Sequence, residues 1–97
     1  MSVLWISHVH VTDEEPYMRY AKLASQAFVE FGGEIVVRGG TYRQIEGPER
    51  ERNIVIRFAS MEDAVACYES ATYQEAVQHA RGACEREMVF VEELPQS

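Results

Sequence analysis

The apolar and polar positions alternate twice between two rhythms, one of period two and one of about 3.6. Val3 to Val11 reads as a strand, rich in β-branched and aromatic residues. Val3, Trp5, Ser7, Val9 and Val11 point to one side of it, and Leu4, Ile6, His8 and His10 to the other. Both sides begin apolar, which predicts a central strand covered on both faces. A helix follows. Thr12 or Asp13 can cap it, Glu14 and Glu15 suit the positive end of its dipole, and Pro16 sits in the tolerated first turn. Tyr17, Tyr20, Ala21, Ala24, Ala27, Phe28 and Phe31 recur along one stripe until Gly32-Gly33 stops the helix.

The second strand spans Ile35 to Arg38, with Gly39-Gly40 predicted as a bulge before it resumes across Thr41 to Ile45. Gly47-Pro48 opens a turn, and Asn53 to Phe58 is the third strand. In it Ile54, Ile56 and Phe58 face one way, and Asn53, Val55 and Arg57 the other. Ser60 and Thr72 each open a short helix with a capping-box pattern. The first carries Met61, Ala64, Val65 and Tyr68; the second carries Tyr73, Ala76, Val77 and Ala80 and ends at Gly82. Glu87 to Val91 is the last strand, before a polar tail from Glu92 to Ser97.

This order is an α+β arrangement, a ferredoxin-like βαββαβ fold with an antiparallel sheet and helices on one face. Residues 1–97 are read as a single domain of that kind. The uncovered sheet face would expose a large apolar patch, drawn from Val3, Trp5, Val9, Val55, Val89 and Val91 or the opposite registers. Two sheets packed face to face remove it, so a homodimer is expected.

Composition narrows the partners. A net charge of −7 argues against nucleic acid, which needs gathered Lys and Arg; the basic pair Arg50 and Arg52 alternates with Glu49 and Glu51. No apolar run approaches the roughly 20 residues of a membrane helix, and the start MSVLWISHV lacks the basic and apolar regions of a signal peptide. Cys67 and Cys84, read as lying on helix and loop, form no CxxC or metal-finger spacing. A cytoplasmic protein needing neither disulfide nor cofactor is expected.

Candidate chemistry is sparse. His8 and His10 share one side of a strand, about 7 Å apart, where imidazoles can act as general bases near neutral pH or serve as metal ligands. The alternative is two half-exposed side chains, and no metal is assigned to them. Arg38 before Gly39-Gly40 points to anion binding: glycines allow close approach to backbone N–H groups, and a guanidinium holds a carboxylate bidentately. A plain β-bulge beside a surface arginine is the other reading. Tyr17, Tyr20, Tyr68 and Tyr73 fit a core as well as a pocket wall, and Arg81 fits a helix C-terminus as well as a site.

Nearly the whole chain resembles a family of small bacterial proteins, domain-of-unknown-function family 1330. Its likeness lies in Trp5-Ile6, Val11-Thr12-Asp13 with Tyr17 and Tyr20, Gly32-Gly33, and Arg38-Gly39-Gly40. It continues in Ile45-Glu46-Gly47, Phe58 to Ala64, Tyr68-Glu69-Ser70 with Tyr73, and Arg81. The resemblance implies a dimeric α/β barrel of ferredoxin-like domains and no settled activity. Cys67 stands where an aromatic is usual and Ala71-Thr72 replaces a Pro-acidic pair. Arg57 replaces an acidic residue facing the barrel interior.

The leading expectation is a homodimer binding a small anionic organic molecule in a cleft between sheet and helices. Arg38, Arg57 and Arg81 would supply charge, Gly39 and Gly40 backbone, and Trp5, Tyr17, Tyr68 and Tyr73 apolar walls. The alternatives are a cofactor-independent oxygenase- or isomerase-type enzyme using His8 or His10, by analogy with the barrel group, and a structural or regulatory dimer without a ligand.

Overall fold

A computed structural model describes residues 1–95. The elements run β1 (Val3–Val11), α1 (Glu14–Glu30), β2 (Glu34–Arg38), β3 (Arg52–Phe58), α2 (Met61–Glu69), α3 (Ala71–Ala80) and β4 (Cys84–Glu92). The strands form one antiparallel sheet in the order β2-β3-β1-β4. This is the ferredoxin-like βαββαβ topology, with the second helix split in two.

The period-two pattern of β1 decides the layers. Val3, Trp5, Ser7 and Val9 are buried beneath the helices, aligned with Phe58, Ile56, Ile54 and Arg52 of β3 and with Glu92, Phe90, Met88 and Arg86 of β4. Trp5 is the hub. Its ring centre lies 5.0 Å from those of Phe28 and Tyr73 and 4.7 Å from that of Phe90. From α1, Tyr17, Tyr20, Ala24, Ala27 and Phe28 complete this layer.

The opposite face carries Leu4 and Ile6 beside Val55, Val89 and Val91, so the uncovered patch belongs to these residues rather than to Val3, Trp5 or Val9. Val89 and Val91 remain 54% and 45% exposed.

Local chemistry explains the boundaries. Gly32 closes α1 at φ 74°, and the Gly33 N–H donates to the Phe28 carbonyl at 2.8 Å. A Cβ at Gly33 would meet Ile56 at 2.8 Å, so any side chain there would push the helix end off the sheet. Asp13 occupies the first cap position without a side-chain cap; the Thr12 and Asp13 amides donate instead to the Ala83 carbonyl.

Ser60 caps α2 through the Asp63 amide. Ser70, rather than Thr72, caps α3: its hydroxyl accepts from the Tyr73 N–H and donates to the Cys67 carbonyl. α2 buries Ala64 and Cys67, while Met61, Val65 and Tyr68 stay more than a third exposed.

Four sequence expectations about the strands are corrected. Thr41 to Ile45 is not a strand. The positive φ of Gly39 (65°) and Gly40 (91°) turns the chain off the sheet edge after the Gly39 N–H donates to the Asn53 carbonyl. The irregularity in β2 lies between Ile35 and Val37, not at the glycines. β4 begins at Cys84, which is therefore in a strand rather than a loop. It runs to Glu92, past the predicted end at Val91 and into the predicted tail, of which Gln96 and Ser97 lie outside the described residues.

The loop from Gly39 to Glu51 is well tied. The Arg50 guanidinium grips the Glu87 carboxylate bidentately, both bonds at 2.9 Å, which fastens it to β4.

Candidate functional site

A cavity of about 580 Å³ opens between α1 and the β2–β3 side of the sheet. Trp5, Phe28, Ile35 and Ile54 give it apolar walls; Ser7, Tyr17 and Tyr20 are hydroxyl-bearing residues of its lining. Arg38, Gly39 and Gly40 line it too, and because Arg38 is exposed it stands at the rim. Lys22, also exposed, adds a second cation there. Among the described residues no carboxylate engages Arg38. The Gly39 N–H is taken by Asn53, whereas no described backbone carbonyl takes the Gly40 N–H.

The sequence-predicted residues divide into two groups. Arg38, Gly39, Gly40, Trp5 and Tyr17 meet at this cavity, although they come from three separate stretches of chain. The others lie elsewhere. Tyr73 is fully buried behind the cavity, its hydroxyl 2.7 Å from that of Tyr20. Tyr68 packs near Trp5 and Phe90 on the far side of the tryptophan. Arg81 is exposed at the C-cap of α3.

Arg57 points to the open sheet face. Its Nε donates to Glu93 at 2.6 Å and its Nη1 to Glu34 at 2.8 Å, so two carboxylates offset the reversed charge noted at this position. These bonds raise the Arg57 pKa and lower that of Glu93.

His8 and His10 also lie on the open face. His8 Nδ1 is 2.6 Å from Asn53 Oδ1, and His10 Nδ1 is 2.9 Å from Glu51 Oε1. His8 borders a shallower depression of about 390 Å³ beneath the Gly39–Glu51 loop. Among the described residues no three of His, Cys, Asp or Glu converge as metal ligands. Cys67 and Cys84 are free thiols, and burial raises both pKa values, that of Cys67 to about 12.

Besides Lys22, three charged residues that the sequence did not single out for a site stand close to the cavity. Arg52 lies over the Tyr17 ring at 5.1 Å and pairs with Glu14. Burial, with the neighbouring Tyr20 charge second, pushes the Tyr17 hydroxyl up to about 12, so it stays protonated at neutral pH. Arg86 lies over the Tyr20 ring at 4.8 Å. Its signal was available: in β4 it falls in the same register as Met88 and Phe90, a cation in an apolar phase.

Glu51 accepts from the Val11 N–H at 2.7 Å as well as bonding His10, and these contacts lower its pKa from 4.5 to about 2. As pH falls below 4.5 the unfolded chain takes up this proton first, so the stabilisation present above that value is lost between about 4.5 and about 2. For a side chain one-third exposed, solvent screening leaves roughly 1–2 kcal/mol. Glu51→Gln is expected to flatten this acid limb in urea unfolding at pH 6 against pH 3; an unchanged limb would assign it to other carboxylates.

The fold defines a ferredoxin-like α+β protein with a cavity between helix and sheet. The chain belongs to the family described as Domain of unknown function (DUF1330), which it matches over residues 2–94. No curated protein matches the sequence. Among solved structures it is similar to a protein of unknown function from Rhodopseudomonas palustris, RPA0582, at 19% identity and a TM-score of 0.79. That match covers 98% of this chain and 84% of that one. A dimeric ferredoxin-like protein of unknown function from Jannaschia sp. CCS1 is 16% identical at a TM-score of 0.76, covering 96% of this chain and 100% of its own. SnoaB, a cofactor-independent oxygenase from Streptomyces nogalater, is 10% identical at 0.60, covering 98% and 95%.

Proposed function

We propose that the protein is a cytoplasmic homodimer in which each subunit binds a small anionic organic molecule in the cavity between α1 and β2–β3. One observation carries the reading: Arg38, a cation that no described carboxylate engages, stands at the rim of an apolar cavity of about 580 Å³. That volume falls within the roughly 300–1,000 Å³ of small-molecule sites, which combine apolar walls with a few polar anchors. In a chain of net charge −7, the cavity lining gathers Lys22, Arg38 and Arg52 against one carboxylate, Glu51, a local reversal of sign. The family membership and the dimeric Jannaschia relative are consistent with a homodimer.

The test is a thermal-shift series with small carboxylates, benzoate among them. The ligand should raise Tm, and Arg38→Ala should abolish the rise without changing the unliganded Tm. Arg38→Lys should keep only part of it, because a point charge cannot reproduce the bidentate fork. A rise that survives Arg38→Ala places the site elsewhere; no rise with any carboxylate favours a structural or regulatory dimer.

The enzymatic alternative draws on the likeness to SnoaB and on His8 bordering the second depression near Arg50 and Tyr42. It is the weaker reading, because His8 and His10 lie across the sheet from the larger cavity and neither lines it. General-base chemistry there would need another group.

A further inference from the structure

Behind the cavity, three side chains from three elements form a polar chain inside the core. The hydroxyls of Tyr20 on α1 and Tyr73 on α3 are 2.7 Å apart, and Arg86 Nη1 of β4 reaches Tyr73 Oη at 3.5 Å. The Arg86 guanidinium also covers the Tyr20 ring. Among the described residues no carboxylate pairs with Arg86, so the two tyrosines are its polar company.

A guanidinium only donates, which gives the chain a direction. Tyr73 Oη accepts from Arg86, and Tyr73, at 0% exposure, must still place its own proton. The Tyr20 oxygen is the acceptor within reach. Any other rotamer would leave a donor unmatched in the core, which is costly. The bond therefore runs from Tyr73 to Tyr20, and the Tyr20 proton is left over. Tyr20 is also the one member of the three that lines the cavity.

We propose that Arg86 and Tyr73 fix the Tyr20 hydroxyl as a hydrogen-bond donor at the inner end of the cavity, and that the ligand is an oxo-carboxylate whose carbonyl oxygen meets Tyr20 while its carboxylate meets Arg38. This rests on the reading of the cavity as an anion site and adds a second recognition point to it. The Tyr20 oxygen already accepts from Tyr73, so a partner that only accepts suits it better than one that must also donate. Arg86 and Tyr73 are positioning residues; Tyr20 is the contact.

Calorimetric titration with 4-acetylbenzoate and 4-isopropylbenzoate tests it, since the two differ by a carbonyl oxygen in place of a methyl group. The intact protein should bind the acetyl compound about tenfold more tightly, the worth of one well-placed hydrogen bond. Tyr20→Phe should remove that preference, so that the two compounds bind it equally. Equal binding of the two by the intact protein, with both lost in Arg38→Ala, overturns the donor while the anion site stands. Binding of neither overturns the anion site and the oxo-carboxylate with it. Because Tyr20→Phe strands the Tyr73 proton, neutron diffraction from the ligand-free, deuterated protein gives an independent readout. Deuterium on Tyr73 Oη directed at Tyr20 Oη is expected, and the reverse arrangement overturns the proposal.

Discussion

Trp5→Ala is expected to leave the domain largely unfolded at room temperature. Trp5 is 1% exposed, and the rings of Phe28, Phe58, Tyr68, Tyr73 and Phe90 all have centres within 6.1 Å of its own. Truncating a buried Trp to Ala costs about 3–5 kcal/mol in transfer and cavity terms. A domain of this length is stable by about 5–15 kcal/mol, so at the lower end of that range this loss takes most of it. Far-UV circular dichroism with urea is the measurement, since the substitution removes the sole tryptophan fluorophore. Trp5→Phe should remain folded with a lower midpoint. An alanine variant unfolding cooperatively within about 1 kcal/mol of the parent would show that the core does not hinge on this ring.

The alternation of β1 grouped Trp5 with Val3, Ser7 and Val9 but left open which side the helices cover, whereas the stop of α1 at Gly32-Gly33 was legible because a local rule decides it. A strand of period two commits its odd residues to one layer, and a positive φ after an amphipathic stripe ends a helix. Thr41 to Ile45 misled because its composition suits a strand, while the turn at Gly39 and Gly40 that carries it off the sheet is set by the preceding backbone.

The candidate site was legible in part for a related reason. Arg38, Gly39 and Gly40 announce themselves as a local cluster, and the fold brings Tyr17 and Trp5 to it. Arg57 and Arg81 looked equivalent to Arg38 as charges, yet strand register sends Arg57 to the opposite face and a helix cap sends Arg81 to solvent. The Tyr20–Tyr73 contact joins residues 53 positions apart, and no spacing rule reaches that far.

Strand register also dictates how the expected homodimer should be tested. Ile6 sits at the centre of the uncovered face, aligned with Val55 on one side and Val89 on the other. Leu4 and Val91 extend the apolar surface; Arg57 with Glu34 and Glu93 marks one polar end, and His8 with Glu87 the other. An apolar centre with polar margins is the anatomy of an interface. In a two-fold pair Ile6→Glu introduces two carboxylates at once into the buried centre. An unpaired buried charge costs several kcal/mol, so dissociation should strengthen by at least about a thousandfold. Sedimentation equilibrium at micromolar concentration should give twice 11.1 kDa for the parent and 11.1 kDa for the variant. The circular dichroism spectrum should be retained, because Ile6 faces away from the core. Val9→Glu is the contrasting arm: Val9 is 1% exposed beneath the helices, so a charge there should unfold the chain instead of merely splitting a pair. A parent already running at 11.1 kDa, or an Ile6→Glu variant that stays paired, would remove this face as the dimer interface.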